Sequence, residues 1–204
     1  MKINRRQFVR NLGLGTASLS MGSLISTSSC APSGDSRDKR GKVSDDDQFL
    51  FIGDDIAIAQ TEYGKVQGYL LNHVYTFLGV PYGADTSGKN RFMPPQKPEP
   101  WTDVRPAVFY GNTAPQRMEN RWPNNYGTFA DHWNYWDVSE DCLYLNVWTP
   151  GIADGKKRPV LVWLHGGGFT NGSGIEQDGY HGENISREGD IVFCSINHRL
   201  GPIG

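Results

Sequence analysis

The residues best suited to chemistry are His165-Gly166-Gly167-Gly168-Phe169, directly after the apolar run VLVWL at residues 160–164. Three glycines at a strand end let the backbone turn sharply, because no Cβ stands in the way. Their amide N–H groups can then converge on one point. Two convergent donors are what an oxyanion needs as it develops on a tetrahedral adduct, and each is worth about 10²–10³ in rate. Without an apolar strand before it, such a run would be a plain glycine loop. The strand and the flanking His165 and Phe169 point instead to oxyanion chemistry.

A serine nucleophile on a sharp strand-to-helix turn needs the pattern Gly-x-Ser-x-Gly. No serine of the chain has it. Ser173, in Gly172-Ser173-Gly174, has Asn171 and Ile175 two residues to either side. The five histidines show no metal spacing, with no His-Glu-x-x-His and no cysteine pair to join them.

The glycine loop must be positioned by the elements around it. Residues 191–196 (IVFCSI) and 160–164 are nearly continuous apolar runs, which predicts strands buried on both faces, as in a parallel α/β sheet. Residues 143–148 (LYLNVW) alternate and predict a third strand. Upstream, residues 55–61 and 66–71 flank Glu62-Tyr63-Gly64-Lys65, a hairpin-like pattern that residues 74–78 continue as a small antiparallel sheet. Residues 81–125 are dense in Pro, Gly and Asn and disfavour helix. Residues 182–188 are the best helix candidate. The expectation is an α/β fold: a small antiparallel sheet, then the first strands of a mostly parallel central sheet.

Glu140-Asp141-Cys142-Leu143-Tyr144-Leu145-Asn146-Val147-Trp148-Thr149-Pro150 resembles the type-B carboxylesterase signature at every position. Gly64-Lys65-Val66-Gln67-Gly68, Phe77-Leu78-Gly79-Val80-Pro81-Tyr82-Gly83, Arg91-Phe92 and Asn197-His198-Arg199-Leu200-Gly201-Pro202 resemble that family in the same order. The group includes para-nitrobenzyl esterases and cholinesterases. The resemblance covers about residues 58–204 and implies the N-terminal part of an α/β-hydrolase fold.

It also implies hydrolysis of carboxylic esters of small molecules by a serine nucleophile, a histidine acid/base and a carboxylate, with no cofactor and no metal. Gly167 and Gly168 become the expected oxyanion donors, with Gly166 supporting the turn. Phe169 becomes a pocket residue. Trp133, in the cluster Trp133, Tyr135 and Trp136, either lines the substrate pocket or packs in the core. Arg91 is expected to pair with Glu140 and pin the proline-rich stretch to the sheet; Arg199 is a similar structural candidate.

The chain departs from the family pattern in three places. The elbow, acid and histidine, which follow the Asn197–Pro202 region in the family, are absent from these 204 residues. The chain alone is therefore expected to be inactive. Ala114 stands where the family has a cysteine that pairs with the one in the Glu-Asp-Cys element, so Cys142 is expected to be unpaired. His198 replaces the usual tyrosine. An exported esterase, a non-catalytic binding or adhesion module on the same fold, and a decayed gene fragment all fit this sequence.

The N-terminus reads differently. Residues 1–48 hold 8 Lys/Arg against 5 Asp/Glu, a balance of +3, while residues 49–204 hold 12 against 17, a balance of −5. Arg5 and Arg6 precede a 14-residue, mildly apolar stretch from Leu12 to Ile25. This resembles a twin-arginine export signal over residues 1–30, read by the export machinery. Cys30 is either a lipoprotein cleavage site, giving a membrane-surface anchor, or an ordinary cleavage neighbour or spectator thiol. Residues 31–48 have one large apolar residue, Val43, and read as a flexible linker. Residues 49–204 form the partial carboxylesterase domain, and the expected location is the periplasm or a membrane surface of a bacterium. A net charge of −2 over the whole chain gives no support to nucleic-acid binding.

Overall fold

The computed structural model describes residues 49–116 and 137–204. Among these residues the strands are β1 (Leu50–Phe51), β2 (Ile58–Gln60), β3 (Lys65–Gln67), β4 (Tyr69–Leu71), β5 (Val74–Pro81), β6 (Arg105–Pro106), β7 (Tyr144–Thr149), β8 (Val160–Leu164) and β9 (Val192–Ile196). One α-helix, α1 (Glu183–Gly189), precedes β9.

The strands form two sheets, ordered β2-β3-β6 and β1-β4-β5-β7-β9-β8. In the small sheet β2 and β3 pair antiparallel. Thr61 organises their turn: its hydroxyl accepts the N–H groups of Tyr63 at 3.1 Å and Gly64 at 3.2 Å. β6 then joins β3 in parallel. Residues 74–78, expected in this small sheet, belong to the larger one instead. The reason is burial: Val74, Thr76, Phe77, Leu78 and Val80 are all buried. A strand with both faces covered sits inside a sheet, here between β4 and β7.

Within the large sheet the pairs are antiparallel as far as β9, and the parallel arrangement begins with β8–β9. The chain crosses from β8 to β9 through α1. β5 carries a bulge, where its register against β7 shifts between Phe77 and Val80. Gly79 lies there at φ +65°, and a Cβ would meet the carbonyl of Phe109 and the amide of Gly111. Asn146 of β7 completes the bulge: its Oδ1 accepts the Gly79 N–H at 3.0 Å, and its Nδ2 donates to Ser195 Oγ at 3.1 Å.

The core lies on both faces of this sheet. On one face Phe77 and Val80 pack with Val66 and Ala107 of the small-sheet side. On the other, Trp148 and Phe193 pack with Val74 and Leu78, and α1 closes over them. Ser186 of α1 is fully buried and donates to the Trp148 carbonyl at 3.0 Å. The helix ends at Asp190, which adopts φ +47°. A short polar side chain tolerates that left-handed conformation. Arg158, just before β8, donates to Asp190 at 2.7 Å and to Asp154 at 2.7 Å, so it ties the entry of β8 to the entry of β9. Both carboxyls are held below the usual range, chiefly by the hydrogen bonds from Arg158, Asp154 down to about 2.

β8 departs from the expectation of burial on both faces. Its only strand neighbour among the described residues is β9, and all five of its residues are exposed. Leu161 and Trp163 turn toward the α1 side, where the Trp163 ring lies 5.0 Å from Tyr180. Val160, Val162 and Leu164 turn the other way and are 63%, 54% and 63% exposed. A largely apolar cavity of about 470 Å³ opens between the sheets, lined by Val66, Phe77, Val80, Leu145, Val147 and Val192.

Candidate active site

β8 delivers the chain into the glycine turn. His165 is buried, and its Nδ1 lies 2.8 Å from the Gly166 carbonyl. Gly167 adopts φ +117° and Gly168 φ +59°, and the left-handed run continues into Phe169 at φ +60°. At Gly167 glycine is obligatory in space as well as in torsion, because a Cβ would run into the backbone and side-chain oxygens of Asn171. At Gly168 the space beside Cα is open.

One carbonyl closes the turn. Gly167 O accepts Thr170 N at 3.1 Å, Asn171 N at 3.3 Å and the Thr170 hydroxyl at 2.9 Å. Among the described residues, the Gly167 and Gly168 N–H groups donate to no protein acceptor. Both glycines are exposed. The turn therefore leaves two adjacent backbone donors free at a strand end.

Three segments hold the turn in place. Gln116 clamps its exit: Nε2 donates to Gly172 O at 3.0 Å, while Oε1 accepts Gly172 N–H at 2.8 Å. Asn197 holds the stretch beyond: Oδ1 accepts Gly174 N–H at 2.8 Å and Nδ2 donates to Asn112 O at 3.0 Å. Gly201 N–H donates to Phe169 O at 2.7 Å. Sequence reasoning missed Gln116 and Asn197. Gln116 stands two residues after Ala114, inside the stretch where the cysteine was missing, and nothing local marks a partner 56 residues away.

The other expected residues are placed as follows. Phe169 is 80% exposed and stands open to solvent, with its ring 6.2 Å from His198. Trp133 lies outside the described residues, as do Arg5, Arg6, Cys30 and the linker. Arg91 meets Glu140 through two bonds, Nη2 to Oε1 and Nε to Oε2, each 2.8 Å. This forked contact joins the proline-rich stretch to the entry of β7. Arg199 donates to Met93 O at 2.8 Å, so it grips the same stretch from the other side.

Cys142 and Cys194 are free thiols, both buried. Ala114 packs with Cys142, Leu143 and Leu200. Burial pushes the Cys142 thiol up to about 12, with Asp141 adding to it, and pushes Cys194 up to about 11. Ser173 is buried and engaged with its own loop, its N–H donating to Glu176 at 3.2 Å and its hydroxyl accepting Ile175 N–H at 3.4 Å. Among the described residues no three His, Cys, Asp or Glu side chains cluster as metal ligands, and no helix is long and apolar enough to cross a membrane.

A two-sheet α/β frame with a glycine turn at the end of β8 defines the N-terminal portion of an α/β-hydrolase. The model of the carboxylesterase family matches residues 55–204, and the chain belongs to that family. It is 44% identical over 147 residues to phenmedipham hydrolase of Pseudarthrobacter oxydans, covering 72% of this chain and 29% of that protein. It is 39% identical over 150 residues to para-nitrobenzyl esterase of Bacillus subtilis, covering 72% and 28%. Among solved structures, an esterase from Clostridium hathewayi superposes with a TM-score of 0.68 at 37% identity, over 77% of this chain and 30% of that one. The chain thus spans under a third of the length of the curated relatives it matches.

Proposed function

We propose that this chain supplies the oxyanion-binding half of a carboxylic ester hydrolase. The observation that carries the reading is the pair of adjacent N–H groups on Gly167 and Gly168, which donate to no acceptor among the described residues. When a serine hydroxyl attacks the ester carbon, the C=O electron pair moves onto oxygen. Both amides can then donate to a charge the ground state lacks, so they stabilise the transition state more than the substrate. A histidine takes the serine proton and later returns it to the departing alcohol, and water releases the acyl group by the same steps in reverse. Gly166 supplies the room to turn, and Phe169 forms part of the approach to the site.

Nucleophile, acid and base are not among these 204 residues, so the chain by itself does not turn over esters. A fusion tests the reading. The chain is joined at Gly204 to the part of Bacillus subtilis para-nitrobenzyl esterase that follows its matched segment, and short-chain nitrophenyl esters are assayed. The fusion is expected to hydrolyse them and the unfused chain to match buffer. Turnover by the unfused chain, or a fusion indifferent to deletion of residues 166–168, would overturn it.

The proposal extends to the N-terminus. Residues 1–30, with Arg5 and Arg6, direct export to the periplasm, Cys30 offers a site for lipid anchoring, and residues 31–48 link this segment to the domain at 49–204. Cell fractionation of the Arg5→Lys, Arg6→Lys variant tests this: it is expected to stay in the cytoplasm, and unchanged export would refute it.

A further inference from the structure

His198 belongs to the Asn197–Pro202 stretch. The His198 ring lies flat on His165, with centroids 4.4 Å apart and planes 5° apart. It also lies 6.2 Å from the Phe169 ring, tilted by 54°. His165 and Phe169 are the two residues that bracket the three glycines. One side chain therefore touches both ends of the turn.

The ring is held from outside the turn. Its Nδ1 lies 2.9 Å from Arg199 O. On one side Asn197 is bonded to Gly174 N and Asn112 O. On the other, Gly201 N–H reaches Phe169 O at 2.7 Å. The Asn197–Gly201 segment is thus a fixed base with one flat ring rising from it against the glycine turn.

We infer that His198 is a positioning residue of the glycine turn: its ring sets the separation of His165 and Phe169 and, through them, the direction of the Gly167 and Gly168 N–H groups. The inference rests on the oxyanion reading of those amides. The property required is a flat ring face, which imidazole, phenyl and phenol share.

Residue-resolved hydrogen exchange on the full 204-residue chain tests this without any ester. Thr170 and Asn171 N–H, bonded to Gly167 O, and Gly201 N–H, bonded to Phe169 O, report closure of the turn. Gly174 N–H, bonded to Asn197 Oδ1, and the β5–β7 ladder are the controls. His198→Ala is expected to speed exchange at the three turn amides about three- to tenfold, the worth of one ring stack. The controls are expected to stay within about twofold of the parent. His198→Phe and His198→Tyr are expected to restore protection.

The inference is overturned if the turn amides are unchanged in His198→Ala, if the controls accelerate equally, or if neither aromatic variant restores protection. A parent chain whose turn amides already exchange at the unfolded rate overturns it as well. A fusion that fails to hydrolyse esters while this exchange pattern holds defeats only the functional reading. Hydrolysis without the pattern defeats only the role of His198.

Discussion

Replacing Asn146 by alanine is the sharpest test of how the β5 bulge is held. The side chain is buried and makes two bonds, one from Gly79 N–H and one to Ser195 Oγ. Each bond is worth about 1 kcal/mol net, and a stranded buried donor adds about 1–2 kcal/mol more. Asn146→Ala loses both bonds and strands the Gly79 N–H, for a total of about 3–4 kcal/mol. That is a large share of a domain stability of about 5–15 kcal/mol. With a urea slope of about 1–3 kcal/mol/M, the unfolding midpoint is expected to fall by roughly 1–4 M. Ser195→Ala is the companion variant. It leaves the Gly79 contact intact but strands the buried Asn146 Nδ2, so its cost is about 2–3 kcal/mol. The two side chains touch, so their effects are expected to be non-additive in the double variant. Equilibrium urea unfolding followed by tryptophan fluorescence reads all three. A shift for Asn146→Ala no larger than that for Ser195→Ala would refute the assignment of Asn146 as the bulge's anchor.

Four further outcomes are expected. Cys142 and Cys194, pushed up to about 12 and about 11 from 9.0 by burial, are expected to resist iodoacetamide at pH 8 until the chain is unfolded, as read by peptide mass mapping. Their raised folded values favour the protonated native state, so this contribution to stability is intact below about pH 9 and is lost as pH climbs toward 11–12; melts from pH 7 to 11 should show no loss from this source below pH 9. Val162→Lys, on the bare face of the edge strand β8, is expected to raise the soluble fraction on expression, measured by sedimentation, because a charge blunts strand-to-strand association. In the esterase fusion, Gly167→Ala is expected to lower kcat/KM by about 10²–10³, because a displaced turn misaims a donor. Gly168→Ala has free space at Cβ and incurs only left-handed backbone strain of about 1–2 kcal/mol, so equal losses would count against the oxyanion geometry.

The glycine turn after β8 and the family were legible because they depend on local spacing. A glycine triplet after an apolar strand can be read at once, and so can the Glu140–Pro150 element. What was not legible depends on contacts distant in sequence. β5 reads as a continuation of a hairpin, but its burial on both faces places it in the other sheet. Asn146 looks like an ordinary polar position on an alternating strand, and only the bulge opposite explains its burial. Gln116 sits in irregular chain and meets Gly172 across 56 residues. His198 could be seen as a departure from a pattern, but its ring partners emerge only when two loops are brought side by side. The exposure of β8 was hidden for the opposite reason: five apolar residues predict cover, and the cover is not among the described residues.

The order β7-β9-β8 has a consequence for synthesis. Among the described residues β8 pairs only with β9, and β9 begins 28 residues after β8 ends. At about 5–20 residues per second, a ribosome makes Val160–Leu164 roughly 2–6 s before that neighbour is complete. During that interval this apolar stretch lacks the one strand neighbour it has among the described residues. Its safe arrival then depends on translation speed and on whatever shields nascent chains.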